Sequence, residues 1–207
     1  MKKYQKMAVS VWMSLLIMTP VFSVEAASFS DVSDRYKESV GYMVDHGISA
    51  GINANQFGVS LSMKRVDAAV MLAKALELNL EAAPKSSFTD VPARAQKAVS
   101  ALKAAGIVSG KTATVFGSDQ VLTRGEMAII LVRAYKLQGA ANHSFSDVSS
   151  RYDAAVQALV ANKVTSGKSV VSFGTADSIK RGEFALFLYR TDSKEQMEGN
   201  FEVIDIY

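Results

Sequence analysis

Three stretches of this chain, DAAVMLAKAL from Asp67, EMAIILVRAY from Glu126 and EFALFLYR from Glu183, are apolar on almost every side. A helix of that composition has no face to offer water, so each stretch predicts a helix buried at the centre of an assembly. Ahead of each lies a segment whose apolar residues keep to one stripe. In the middle copy Val99, Leu102 and Ile107 share a face while Ala, Lys and Gln fill the rest, which predicts an amphipathic helix of about three turns. Gly47 and Gly106 come after the first two of these helices, where a left-handed residue ends a helix. The third copy has Asn162-Lys163 there, and Asn suits that geometry better. The connecting loops end in Phe57-Gly58, Phe116-Gly117 and Phe173-Gly174, each eight residues before an arginine that opens the apolar helix. The recurrent Phe predicts a compact loop pinned to the core.

One helix-loop-helix unit is therefore written three times, over residues 28–78, 87–137 and 144–194. Asp31 to Arg65, Asp90 to Arg124 and Asp147 to Arg181 each span 34 residues, so no insertion has entered a unit. The short linkers NLEAAPKSS and QGAANH keep neighbouring units close. A unit of about 50 residues is too small to bury an all-round apolar helix by itself, and repeats of this kind bury their cores against one another. The expected fold is all-α: three repeats about a pseudo-threefold axis, with their second helices forming a central three-helix bundle.

The two ends of the chain obey other rules. Residues 1–26 begin with Lys2, Lys3 and Lys6, continue apolar from Met7 to Val24 and close on Val24-Glu25-Ala26, the pattern of a secretion signal cleaved after Ala26. The alternative, an uncleaved membrane anchor, is opposed by Pro20 and by the cleavage pattern. Cleavage removes three lysines and one glutamate and brings the formal charge from +3 to +1. That balance recruits neither nucleic acid nor a membrane surface, so an anionic partner has to be held by individual side chains. Residues 195–207 include FEVIDIY, which alternates like a strand; they are a tail or the start of a passenger domain. The chain has no cysteine, which excludes disulfides, thiolate metal sites and a Cys nucleophile, and its two histidines stand in unrelated contexts. No catalytic residue, metal or cofactor is expected, and the chain is read as non-enzymatic.

Aligned, the junctions before the apolar helices read Met63-Lys64-Arg65-Val66-Asp67, Leu122-Thr123-Arg124-Gly125-Glu126 and Ile179-Lys180-Arg181-Gly182-Glu183. Thr123 and Glu126 form a capping box, and Glu183 stands at the same position as Glu126, where an acid also suits the positive end of the helix dipole. The arginines oppose that dipole by a few tenths of a kcal/mol up to about 1 kcal/mol. Two readings of them compete. Each Arg pairs with an acid, such as Asp31, Asp90 or Asp147 of the recurrent SFxDV; or helix N-terminus and Arg fork together form a corner for a carboxylate. Lys64 and Lys180 favour the second, since they give up a cap worth about 1 kcal/mol and add a cation. The SFxDV aspartates are expected as helix caps or Asx turns and its Phe as core. Gly51, Gly110 and Gly167 are expected either to need positive φ or to let a ligand approach the backbone. Tyr36 and Tyr152 could stack on a sugar, but Ala95 at the equivalent place favours packing.

The unit as a whole resembles the S-layer homology module: F-x-D-V, an amphipathic helix, a G-I-x-x-G turn, a loop Phe and a Thr-Arg-Ala-Glu motif before a second helix. Here these are Phe29 to Val32, Gly47 to Gly51, Phe57 and Arg65; Phe88 to Val91, Gly106 to Gly110, Phe116 and Thr123 to Glu126; and Phe145 to Val148, Gly167, Phe173 and Arg181 to Glu183. The resemblance implies a pseudo-trimer whose grooves bind a secondary cell-wall polysaccharide, often one tipped with a pyruvate ketal on an amino sugar. It points to Arg65, Arg124 and Arg181 for that anion, with Gly51, Gly110 and Gly167 near the sugar. The family's Thr is present only as Thr123, its Glu is Asp67 in the first unit, and its Pro after the loop Phe is absent, which implies unequal grooves.

The function expected on this basis is non-covalent anchoring of a secreted protein in the wall or S-layer of a bacterium. The partner is a wall polysaccharide with an anionic terminus, and an S-layer lattice or a passenger domain is the further partner implied. The alternatives are a structural or protein-interaction module of the cell surface and the N-terminal anchor of a cell-wall enzyme.

Overall fold

A computed structural model describes residues 29–193. The secretion signal expected in residues 1–26 and the stretch 195–207 lie outside the described residues. Within them the chain forms α1 (Asp34–Asp45), α2 (Arg65–Ala75), a 3₁₀ turn (Ala93–Ala95) running into α3 (Gln96–Ala104), α4 (Arg124–Tyr135), α5 (Ser150–Ala161) and α6 (Arg181–Asp192). Extended pairing among the described residues is limited to isolated bridges, so the all-α reading holds. Each apolar helix starts on its arginine.

The amphipathic helices end on glycine in two units and on another residue in the third. Gly47 and Gly106 take left-handed φ of 62° and 72° after α1 and α3. After α5 it is Lys163, not Asn162, that takes this conformation, at φ 55°. Asn162 is used otherwise: its amide donates to the carbonyls of Ala158 at 2.8 Å and Gln138 at 2.7 Å, tying the helix end to the preceding linker.

The helices of one unit are not each other's main partners. α2 packs on α3, α4 on α5, and α6 returns to α1, so each second helix lies against the first helix of the next unit around a closed ring. α6 also touches α2 and α4. Leu72, Leu131 and Leu188, one from each apolar helix, are fully buried, as are the loop residues Phe57, Phe116 and Phe173. At the axis the residues two before each arginine close a triangle of backbone bonds. Met63 N–H donates to Ile179 O at 2.9 Å, Leu122 N–H to Met63 O at 2.9 Å and Ile179 N–H to Leu122 O at 3.0 Å.

The closing α1/α6 junction joins helices far apart in the chain. There the Tyr42 hydroxyl donates to Asp192, and the Tyr42 ring lies 5.3 Å from that of Tyr189. Burial first, and then the Asp192 carboxylate beside it, push the Tyr42 hydroxyl pKa up.

Packing also explains the tyrosines. A Cβ on Gly182 would stand 3.3 Å from the Tyr36 ring, and one on Gly125 would stand 3.1 Å from Tyr152. At the α2/α3 junction the same two positions hold Val66 and Ala95, both buried. Bulk has changed sides: Tyr against Gly in two junctions, Ala against Val in the third. Ala95→Tyr alone should overpack this junction and destabilise the protein by about 1–3 kcal/mol. Adding Val66→Gly should recover part of that loss, and thermal denaturation of the two variants measures it.

Candidate functional site

The loops are built around the recurrent aspartates. Asp31 accepts the N–H groups of Phe57, Gly58 and Val59; Asp90 those of Phe116, Gly117 and Ser118; Asp147 those of Phe173, Gly174 and Thr175, all at 2.6 to 3.0 Å. They are therefore neither helix caps nor Asx turns, and they are not the arginines' partners. Sequence position hid this because the N–H donors lie more than twenty residues downstream. Burial pushes these carboxyls upward, but the three N–H bonds outweigh it and leave each below its usual value.

Gly51 and Gly110 recur for a steric reason. A Cβ on either would collide with the ring of Phe29 or Phe88, so they seat the SFxDV phenylalanine, and neither has positive φ. Gly167, at φ 100°, alone among the three meets that expectation.

Each arginine reaches into the loop of the next unit. Arg65 donates from Nε to Phe116 O at 3.1 Å and from Nη2 to Ser109 O at 2.8 Å. Arg124 donates from Nη2 to Thr165 Oγ1 at 3.3 Å. Arg181 donates from Nε to Phe57 O at 3.0 Å and from Nη2 to Ser49 Oγ at 2.5 Å and Ala50 O at 2.9 Å. Each guanidinium also lies 4.7 to 4.8 Å from the centre of the loop Phe ring, as cation–π contact requires. The helix N-termini are spent in the same way. Arg65 N–H donates to Gln120 O, Arg124 N–H to Asp177 O and Arg181 N–H to Leu61 O, at 2.8 to 2.9 Å. The expected partnership of helix N-terminus and Arg fork is thus corrected: neighbouring carbonyls already occupy those first N–H groups.

What remains differs between the three. Arg65 Nη1 faces Glu126 at 3.9 Å and Arg124 Nη1 faces Glu183 at 3.8 Å. Arg124 is 1% exposed, and burial lowers its pKa to about 10, with the Glu183 charge opposing the fall. At the third junction the acid is Asp67, one methylene shorter. It pairs instead with Arg94, at 2.8 Å. No carboxylate of the described residues lies within ion-pair distance of Arg181, and its Nη1 has only the Met71 sulfur at 3.8 Å. Arg181 is also the least buried of the three and lines an open groove of about 250 Å³ with Ser49, Gly51, Asp67, Lys74 and Arg94.

Thr123 and Glu126 form the expected capping box, and Glu183 accepts from Lys180 N–H at 2.9 Å. Lys64 and Lys180 do not join the groove: their amines bond Asp119 at 2.7 Å and Ser62 at 3.0 Å. A second recurrent arginine does, and sequence reasoning passed it over. Arg35, Arg94 and Arg151 each stand four residues after the SFxDV aspartate; that strict recurrence was the available signal. Arg94 brings a cation of the second unit into a groove made of first-unit loop and third-unit arginine.

The S-layer homology domain profile matches residues 87–128 and 144–185. The chain is 33% identical over 189 residues to the surface-layer 125 kDa protein of Lysinibacillus sphaericus, covering 85% of this chain and 16% of that protein. It is 28% identical over 200 residues to an S-layer protein of Bacillus licheniformis, covering 92% of this chain and 23% of that one. To a Bacillus anthracis protein named as an uncharacterized cell wall amidase it is 29% identical over 194 residues, covering 88% of this chain and 35% of the relative. The chain thus spans only a minor part of the length of these relatives.

Because the loop aspartates are more acidic in the fold than in the unfolded chain, their stabilisation is complete above about pH 4, the ordinary carboxylate value, and is lost as pH falls through the depressed values. Asp31→Asn should lower the melting temperature at pH 7 and flatten the pH dependence of stability below pH 4, as thermal scans across pH would record. Removing the buried Arg124 strands Glu183 and opens a void beside Phe173 and Phe187, so Arg124→Ala should cost about 3 kcal/mol. Arg181→Ala should cost clearly less, and urea denaturation of both variants ranks them.

Proposed function

We propose that this chain, which belongs to the S-layer homology domain family, anchors a secreted protein to the bacterial cell wall by gripping the anionic tip of a wall polysaccharide at Arg181. Its place is the cell surface, in the wall or S-layer. The observation that carries the binding reading is the unequal state of the three arginines. Arg65 and Arg124 face acids and are buried, whereas Arg181 has no acid within ion-pair distance among the described residues and lines an open groove with Arg94 and Lys74. The Nη1 group of Arg181, whose other donors are taken, can hold one oxygen of a carboxylate such as that of a pyruvate ketal, with a second cation nearby. Arg65 and Arg124 serve mainly as bolts between units in this reading. Anchoring does not depend on the passenger, which could build a lattice or cleave the wall.

Sedimentation with purified walls tests this. Native walls should retain the protein and walls stripped of their secondary polymers should not. Arg181→Ala should weaken retention about 10- to 100-fold, as loss of a charged hydrogen bond worth about 1.5–3 kcal/mol implies. Arg65→Ala and Arg124→Ala should lose binding only as far as they lose folded protein. Undiminished retention by stripped walls, or by Arg181→Ala, would sink the reading.

A further inference from the structure

We infer that the Arg181 groove continues into a second saccharide subsite, the cavity of about 1020 Å³ between the C-terminal ends of α1, α2 and α6. The inference rests on the proposed polysaccharide reading and adds a place for the sugars behind the anionic tip. Groove and cavity share Ile48 and Lys74 in their walls. Lys74 marks the boundary, its amine on Gly47 O at 3.2 Å.

The cavity has the two features that hold neutral sugars. Its wall carries rings: His46 lies 4.1 Å from Tyr42, which lies 5.3 Å from Tyr189. These rings pack on one another, and the surface they leave open, with His46 exposed and Tyr42 and Tyr189 half-buried, is flat and partly apolar and suits the C–H face of a pyranose, while polar groups at its edge fix the hydroxyls. Those polar groups are the carboxylates of Asp45, Glu77 and Asp192, which accept from hydroxyls and amides. Neither other junction repeats the ring wall. Ala101 and Ala158 stand at the place of Tyr42, and Ala73 and Val132 at the place of Tyr189. The extension therefore belongs to the same groove whose arginine lacks an acid partner.

Charge along this path changes sign, from Arg181, Arg94 and Lys74 against the single acid Asp67 at one end to Asp45, Glu77 and Asp192 against the shared Lys74 at the other. Such a path accepts a chain that is anionic only at its tip, with uncharged amino-sugar residues behind it. It repels a polymer with a phosphate on every residue, so the carboxylates act as an element of specificity.

Calorimetric titration of the full secreted chain tests this with three probes: a pyruvylated N-acetylhexosamine, a trisaccharide bearing that sugar at its tip, and a poly(glycerol phosphate) teichoic acid. The trisaccharide should bind at least about tenfold tighter than the monosaccharide, and the teichoic acid more weakly than either. The double variant Asp45→Asn, Glu77→Gln changes exposed side chains outside the Tyr42–Asp192 contact. It should keep the parent's melting temperature and monosaccharide affinity and lose the trisaccharide advantage. Equal affinity of the parent for both sugars, a trisaccharide advantage retained by the variant, or teichoic acid binding as tight as the trisaccharide overturns the subsite. If the parent fails to bind even the monosaccharide, the anionic-tip reading fails, and the subsite with it.

Discussion

Everything in this fold depends on where the first N–H groups of the three central helices find their acceptors. A helix begins with N–H groups that have no partner inside it. Here the first two of each central helix donate to loop carbonyls of the next unit: Arg65 and Val66 to Gln120 and Ser118, Arg124 and Gly125 to Asp177 and Thr175, Arg181 and Gly182 to Leu61 and Val59. Just before them the bonds among Met63, Leu122 and Ile179 close on themselves. A single unit would leave those buried groups unpaired, and its apolar helix in water. The three units therefore fold as one cooperative body, and the chain has to return from α6 to α1 to complete it.

The arginines belong to the same device. Each extends its helix start into the neighbouring loop, bonding carbonyl or hydroxyl oxygens there and covering the loop phenylalanine. A guanidinium suits this task because it stays charged when partly desolvated and presents several donors in one plane. Burial disfavours its charge at all three sites, and an acid at the third helical position opposes that effect. The remaining donor meets an acid at two junctions and not at the third, where the acid is shorter and where Arg94 has Ala95 beside it rather than the tyrosine that Arg35 and Arg151 lie over. Glu126 and Glu183 approach their arginines, whereas Asp67 turns to Arg94. Few changes thus separate a bolt from a candidate binding corner, and unequal grooves arise from units that share one motif pattern.

Whatever depends on neighbours a few residues away could be read from the chain alone. The start of each central helix at its arginine, the capping box of Thr123 and Glu126, the left-handed Gly47 and Gly106 and the buried loop phenylalanines were all legible, because period, capping and turn chemistry act locally. That each central helix serves the next unit emerges only when the chain is folded. A threefold repeat reads the same whether its helices pack within units or between them, and contacts across more than a hundred residues leave no mark on local pattern. For the same reason the aspartates read as caps when they staple distant loops, and the arginines read as unexplained cations when their acceptors stand on another unit.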